Sequence, residues 1–178
     1  MKTPRRGQGS AQGRAVRGDR PGGRRTDQGA LNSQANKDIA MKPLTEDEKK
    51  IVVEAVKNQF DQLVSSINQI DTKAWASFYS DDSPVTTIAG IDFFGDKKSW
   101  VETVGKYFSQ RKSQIVEPMA VRITPLAHDL ALLVSEENTS MTQGDGSVVK
   151  SKHVFTMVWK NEKSGWKVLH SHESWIDY

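Results

Sequence analysis

The order of two periodicities along the chain constrains its fold more than any other feature. Apolar residues recur every three to four positions from about residue 45 to 70, which predicts one long amphipathic helix. From Ser113 onward the pattern is that of strands, which we place near 113–124, 129–142, 147–160 and 166–176. Helices followed by a run of strands predict an α+β domain, with the helices packed on one face of a curved antiparallel sheet.

Local signals set the ends of these elements. Thr45 and Glu48 fit a capping box at the start of the long helix. Asp71 is placed to cap a second, short helix that continues through Tyr79. A short strand is predicted at 85–89, a third helix at about 97–110, and a hairpin turn at 143–146, where the sequence reads Gln-Gly-Asp-Gly.

Residues 1–42 differ in composition from the rest of the chain. Residues 1–40 hold nine basic and three acidic side chains, whereas the remainder holds 16 basic and 19 acidic ones. The segment also contains seven of the 13 glycines and no aromatic residue, so we predict a disordered Arg/Gly-rich tail followed by one folded domain over 43–178. A weak contact between this tail and nucleic acid is the only nucleic-acid binding that we expect.

Composition excludes several classes of function. The chain has no cysteine, which rules out disulfides, thiolate catalysis and cysteine-based zinc sites. It has no run of 18 apolar residues, and no apolar segment follows the basic N-terminus. We therefore expect a cytoplasmic protein with no membrane partner.

The last strand suggests the wall of a pocket. Alternate side chains of a strand share a face. One face of this strand changes from apolar to polar along its length and carries Trp166, Val168, His170, His172 and Ser174. We therefore expect His170, His172 and Ser174 to face a cavity, and we expect the helices to cover it.

The strand at 147–160 can be phased by its lysines. If Lys150, Lys152 and Lys160 face water, His153 and Trp159 face inward and His153 joins His170 and His172. Three imidazoles on adjoining strands suit acid–base chemistry, divalent-metal binding or simple hydrogen bonding in the wall. No carboxylate is clearly in register with them, so neither a metal nor another cofactor is predicted.

Other side chains are candidates for the same cavity. Trp75 and Tyr79 lie on the predicted short helix and are suited either to line a pocket or to pack in the core, and the Tyr79 hydroxyl is able to polarise a ligand carbonyl. Because Glu136 and Glu137 are neighbours on one strand, only one of them faces inward, and the sequence does not decide which. An inward carboxylate beside a histidine would be a credible base.

The opposite face of the sheet is predicted to mediate association. The same phasing places four apolar residues there, namely Val154, Val158, Leu169 and Trp175. Exposed apolar groups on an open sheet usually mark an interface, so we expect a homodimer formed through the sheet.

Two segments carry a resemblance to a known family. The stretch WASFYSDDSPVTTIAG at 75–90 and the ending GWKVLHSHES resemble the SnoaL-like members of the nuclear transport factor 2-like superfamily. The resemblance covers about residues 45–178 and implies an α+β cone with a pocket at its open end. This fold hosts isomerases, cyclases, dehydratases, transport factors and kinase association domains, so it does not specify an activity.

One position departs from a well-known member of that superfamily. When the segment at 78–83 is aligned with the ketosteroid isomerases that it resembles, the position of their general-base aspartate falls on Thr87. A threonine hydroxyl is not a useful base near neutral pH, so ketosteroid-type isomerisation is not expected.

Three hypotheses about function follow. The first is a protein that binds a small, partly apolar organic molecule, with no assigned activity. The second is a cyclase, isomerase or dehydratase that uses His153 or His172 as a general base and Tyr79 as an electrophile. The third is an oligomerisation module like the kinase association domains. The predicted ligand-binding residues are Trp75, Tyr79, His153, Trp159, His170, His172 and Ser174.

Overall fold

The structure is a computed structural model that describes residues 43–178. The predicted tail over residues 1–42 therefore lies outside the described residues. Residues from 43 onward belong to one compact unit. No helix within the described range is both long enough and apolar enough to cross a membrane.

Within residues 43–178, three helices precede most of the sheet: α1 over Glu46–Asn68, α2 over Thr72–Ala76 and α3 over Lys97–Ser109. The predicted capping box is present, with the Glu48 backbone N–H donating to Thr45 Oγ1 and the Thr45 backbone N–H donating to Glu48 Oε2. Helix α2 ends three residues earlier than predicted. Tyr79 instead lies in a short extended segment that pairs with the last strand.

In the described part of the chain, six strands form one sheet. Their bounds are Thr86–Ala89 for β1, Asp92–Phe94 for β2, Arg111–Ala127 for β3, Leu130–Gln143 for β4, Val148–Glu162 for β5 and Gly165–Asp177 for β6. The spatial order is β2-β1-β6-β5-β4-β3. The α+β class and the curved sheet are as predicted, although β2 was not expected. The pairing of β1 with β6 is parallel, whereas every other pair is antiparallel.

The core lies between the helices and one face of the sheet, which we call the concave face. It is defined by the inward residues of β4, β5 and β6, which include Leu133, Trp159 and Val168. The buried side of α1 packs against this core through Val56, Phe60 and Leu63. The other face of the sheet, which we call the convex face, carries the remaining alternate residues, among them Val134 and Val154.

A β-bulge in β6 decides which residues of that strand face the core. Trp159 lies opposite Val168, but the preceding residue, Val158, lies opposite His170, so Leu169 is an extra residue with no partner on β5. At this point β6 also changes its neighbour on the other edge. Val168 exchanges hydrogen bonds with Phe78 and Ser80, whereas the residues from His170 onward pair with β1.

The bulge reverses the predicted phase of the strand beyond it. A single extra residue moves every later side chain to the opposite face, because side chains alternate along a strand. Ser171, Glu173 and Trp175 therefore face the helices together with Val168. The predictions that His170, His172 and Ser174 face the cavity, and that Trp175 lies on the convex face, are wrong for this reason.

Candidate functional site

A cavity of about 440 Å³ lies between the helices and the concave face. Its apolar wall comes from helices α1, α2 and α3 and from the sheet, including strand β2, and it is rich in aromatic rings. Trp75 is at the centre of this wall, with its ring centroid 4.9 Å from Tyr79, 5.7 Å from Trp100 and 6.2 Å from Phe108. A cavity of this kind suits a small organic molecule with an apolar body.

Two adjacent rows of concave-face residues contain the polar groups Glu137, His153 and Glu173 of the cavity. Glu137, His153 and Trp175 lie opposite one another on β4, β5 and β6. The next row consists of Ser135, Phe155 and Glu173. Diagonal neighbours in adjacent rows come within reach of long side chains, and this brings the Glu173 carboxylate to the His153 ring.

The His153 imidazole has a hydrogen-bond partner on each nitrogen. Its Nδ1 lies 2.9 Å from Glu173 Oε1, and its Nε2 lies 2.7 Å from Ser151 Oγ. Because an ionised carboxylate can only accept, Nδ1 carries the proton, and in the neutral imidazole Nε2 then accepts from the Ser151 hydroxyl. The ring also stacks with Phe155 and Trp175, with centroids 5.9 and 6.0 Å away, so packing adds to the hydrogen bonds that fix its orientation.

Glu137 is the inward member of the neighbouring glutamates. It is 2% exposed and accepts a hydrogen bond of 2.7 Å from Ser135 Oγ, whereas Glu136 lies on the convex face in an ion pair with Lys152. Burial raises the pKa of Glu137 to about 7, and the negative charge of Glu173 acts in the same direction. The carboxyl group therefore changes its charge near neutral pH.

Tyr79 reaches the cavity from the segment after α2. Its hydroxyl lies 3.3 Å from Ser171 Oγ, which in turn lies 3.1 Å from Thr87 Oγ1, so three hydroxyls form a buried chain. Burial raises the pKa of Tyr79 to about 12, and the Ser171 hydrogen bond opposes this rise. The phenol is thus neutral at physiological pH and is able to donate a hydrogen bond.

The structure brings together only some of the predicted site residues. Trp75, Tyr79 and His153 line the cavity. Trp159 is fully buried in the core and does not reach the cavity. His172 is exposed on the convex face, and His170 lies on the same face with its Nδ1 2.9 Å from Thr86 Oγ1. The prediction that His153 and His172 point into one cavity is therefore wrong.

Two polar residues of the site were missed by sequence reasoning. Glu173 was placed on the wrong face, because the bulge at Leu169 has no signal in the local pattern of β6. Ser151 shares the face of His153, two residues away on β5, but the alternation of the strand gives no indication of the hydrogen bond between them. Among residues 43–178, no cluster of three or more His, Asp or Glu side chains has the geometry of a metal site.

These features define a class of protein. A long capped helix and two shorter ones cover a curved six-stranded sheet, and together they enclose a cavity, which is the architecture of the nuclear transport factor 2-like superfamily. Within that superfamily, residues 56–178 match the SnoaL-like domain. The chain belongs to the SnoaL-like family. None of the curated proteins with which the chain was compared matches it.

Solved structures with this fold have little sequence in common with the chain. One, from Streptomyces avermitilis, is provisionally described as a dehydratase of the NTF2-like family; it is 16% identical with a TM-score of 0.66, over 72% of this chain and 98% of that one. The hexachlorocyclohexane dehydrochlorinase LinA type 3 of Novosphingobium barchaimii LL02 is 10% identical with a TM-score of 0.62, over 75% and 94%. A third, from Xanthomonas campestris, is provisionally described as a calcium/calmodulin-dependent protein kinase II association domain. It is 13% identical with a TM-score of 0.60, over 68% of this chain and 85% of that one. Identities this low show the fold alone.

Proposed function

We propose that the cavity binds a small, partly apolar organic molecule and that the His153–Glu173 pair moves a proton on it, as in an elimination or isomerisation. The observation that supports this proposal is the 2.9 Å contact between His153 Nδ1 and Glu173 Oε1 inside an aromatic cavity. A carboxylate that is held by an imidazole and shielded from bulk water is suited to general acid–base catalysis. The names of two similar structures, a dehydratase and a dehydrochlorinase, denote eliminations and agree with it.

The pair has one oxygen available for a ligand. Glu173 is its more exposed member, with 18% of the side chain accessible against 11% for His153. Glu173 Oε1 contacts His153, while Oε2 has no hydrogen bond within residues 43–178. We assign Oε2 as the atom that accepts the ligand proton, and His153 as the group that orients the carboxylate by donating from Nδ1 to Oε1.

Two further groups suit the other half of such a reaction. The neutral Tyr79 phenol is able to donate a hydrogen bond to an oxygen on which negative charge develops. Glu137, which lies opposite His153 on β4, is protonated below about pH 7 and is able to return a proton to a leaving group. A base, an electrophile and an acid would thus line one cavity.

The proton-transfer role can be tested without knowing the natural substrate. The probe is 5-nitrobenzisoxazole, a neutral aromatic molecule whose C–H proton is removed by a base while its N–O bond breaks to give a yellow nitrile phenolate. The wild-type protein should accelerate this elimination, Glu173→Gln should lower the rate about 100-fold and His153→Asn about tenfold. His172→Asn removes an imidazole from the convex face of the same sheet and should leave the rate within a factor of two.

Two outcomes of this rate measurement would overturn the proposal. A wild-type rate no higher than that of free acetate and imidazole at the same concentration would remove the case for a base in the cavity. Equal rates for the wild-type, Glu173→Gln and His153→Asn proteins would place any activity elsewhere on the surface.

We propose further that two copies of the chain associate through their convex faces. A row of side chains crosses this face from Val134 through Thr156, His172 and Ile88 to Phe93. Phe93 in this row is 69% exposed, and Val154 in the adjacent row is 44% exposed, so apolar surface is open to water. A self-complementary apolar patch is what a twofold dimer requires. The face differs from the predicted one in containing His172 and lacking Trp175.

Sedimentation velocity at micromolar concentration tests this association. The wild-type protein should sediment as a dimer, and Val154→Lys should give a monomer because it would bury a charge at the interface. Ile51→Lys places the same charge on another exposed apolar residue, on α1, and should leave the dimer intact. A monomeric wild-type protein would contradict the proposal.

A further inference from the structure

Arg111 occupies an unusual position in the cavity. It is the first residue of β3 and lies opposite Gln143, where the end of α3 meets the sheet. Among the described residues that line the cavity, it is the sole lysine or arginine. The cavity is otherwise lined by aromatic and aliphatic groups, by neutral polar side chains, by His153 and by carboxyl groups.

The guanidinium is held in place, but its charge is not paired. One of its nitrogens, Nη1, donates to Gln114 Oε1, and the group packs over the Tyr107 and Phe108 rings at 6.0 and 5.9 Å from their centroids. No carboxylate within residues 43–178 forms an ion pair with it. A guanidinium has five N–H donors, so most of them have no partner on these contacts.

A partly buried charge without a counter-ion is costly, and ligand sites often retain such a group for that reason. Burial lowers the pKa of Arg111, while the negative charge of Glu173 raises it. The negative charge of Glu173 also acts on Glu137. Arg111 and the acid–base pair line the same cavity. A bound anion would supply the missing counter-ion.

The four carboxyl groups of the cavity do not remove this preference for an anion. Glu173 is already bonded to His153, and Glu137 is largely neutral below about pH 7. The other two, Asp92 and Asp177, are exposed to solvent, where their charges are screened. Among the described charged side chains that line the cavity, the Arg111 guanidinium is the one that is partly buried, permanently charged and without an ion-pair partner.

We infer that Arg111 binds the carboxylate of the ligand, and that the natural ligands are organic acids with one carboxylate on an aromatic or aliphatic body. A single guanidinium matches a carboxylate through two parallel hydrogen bonds. The remainder of such a molecule would lie against Trp75, Trp100 and Phe108. This inference rests on the proposed function, because it specifies what the same cavity binds.

Three probes of the same shape test the inference by calorimetric titration. They are 4-phenylbutanoate, 4-phenylbutanamide and 4-phenylbutylammonium, which differ in the charge of one end. The wild-type protein should bind the carboxylate at least tenfold more tightly than the amide, and the ammonium more weakly than either. Arg111→Met keeps most of the apolar stem and should abolish the preference for the carboxylate, while Arg111→Lys should retain part of it.

Arg122 provides the matched control. It lies on the same strand but opposite Val134, on the convex face, so Arg122→Met removes the same charge without touching the cavity and should keep the full preference. Equal binding of carboxylate and amide by the wild-type protein, or an unchanged preference in Arg111→Met, would refute the anchor while leaving the cavity as a ligand site. Failure of all three probes to bind would count against the cavity as a ligand site and therefore against the anchor too. Loss of the elimination rate in Glu173→Gln, measured separately, would still support the acid–base pair.

Discussion

The two faces of strand β6 carry similar residues in different environments. On the concave face, Ser171 and Glu173 form hydrogen bonds with other cavity or core side chains. On the convex face, His172 and Ser174 are exposed to solvent. The composition of the two sets would favour the second as an active site, yet Glu173, from the first set, lines the cavity. A polar side chain becomes part of a site through what encloses it, not through its own chemistry.

The neighbouring glutamates on β4 give the sharpest test of this comparison. Glu137→Gln should stabilise the protein by about 3 kcal/mol near pH 8, because it removes a carboxyl group that must ionise while buried. The pKa of Glu137 is raised above 4.5 in the folded protein, so the native state binds the extra proton. Wild-type stability should therefore fall as the pH rises from about 4.5 to 7, and the variant should lose this part of the slope.

Glu136→Gln is the control for this experiment. Its carboxylate is 44% exposed and pairs with Lys152, which is 46% exposed, so solvent screens the pair and the change should be below about 1 kcal/mol at any pH. Urea denaturation across the pH range measures both variants. A parallel pH dependence in the wild-type and Glu137→Gln proteins would show that Glu137 ionises as it does in water, and it would undermine the contrast between the faces.

A smaller effect tests the position of Trp175 on the concave side. Gly90 has a φ of +61°, and a Cβ added there would lie 3.0 Å from Trp175 Cη2. Gly90→Ala should cost roughly 1–2 kcal/mol from the left-handed backbone, and it should also displace the indole that stacks on His153. Both the tryptophan emission and the elimination rate with 5-nitrobenzisoxazole should change.

Gly146→Ala separates the backbone cost from the displacement of the indole. Gly146 also has a positive φ, of +92°, but a Cβ added there meets nothing within 4 Å. The variant should lose stability and keep both the emission spectrum and the rate of the wild-type protein. If Gly90→Ala also keeps them, Trp175 does not pack over this glycine.

The elements of the fold could be predicted from the sequence because their signals are local. The capping box at Thr45 and the lysines of β5 place α1 and His153 correctly without any knowledge of their neighbours. The phase of β6 could not be predicted in this way. It depends on Val168 pairing with the segment 78–80 on one edge and with β5 on the other, and neither contact is local in sequence.

The same distinction explains the parts of the site that were found and missed. Tyr79 and Trp75 were recognised as large aromatic residues near a predicted helix end, and they line the cavity. The orientation of Glu137 over Glu136 follows from the register of β4 with β5, where Glu137 lies opposite His153. The apolar run at 130–134, which precedes these glutamates on β4, contains no lysine that would mark the solvent face. The sequence of β4 therefore does not indicate which glutamate faces inward.

The strand order has a consequence for how the domain assembles. Strand β6 is the last of the six described strands along the chain but lies in the middle of the sheet, between β1 and β5. Until residues 165–177 leave the ribosome, the β1–β2 hairpin has no partner in the sheet, and the β3–β4–β5 meander has an unpaired edge. Closing the sheet requires β1 and β6 to pair although about 80 residues separate them in sequence. Such non-local pairing folds slowly because the entropy of closing a long loop is lost before the contacts form. Glu173 therefore joins His153 only after residues 165–177 have been synthesised, so a nascent chain that lacks them contains the histidine without its carboxylate.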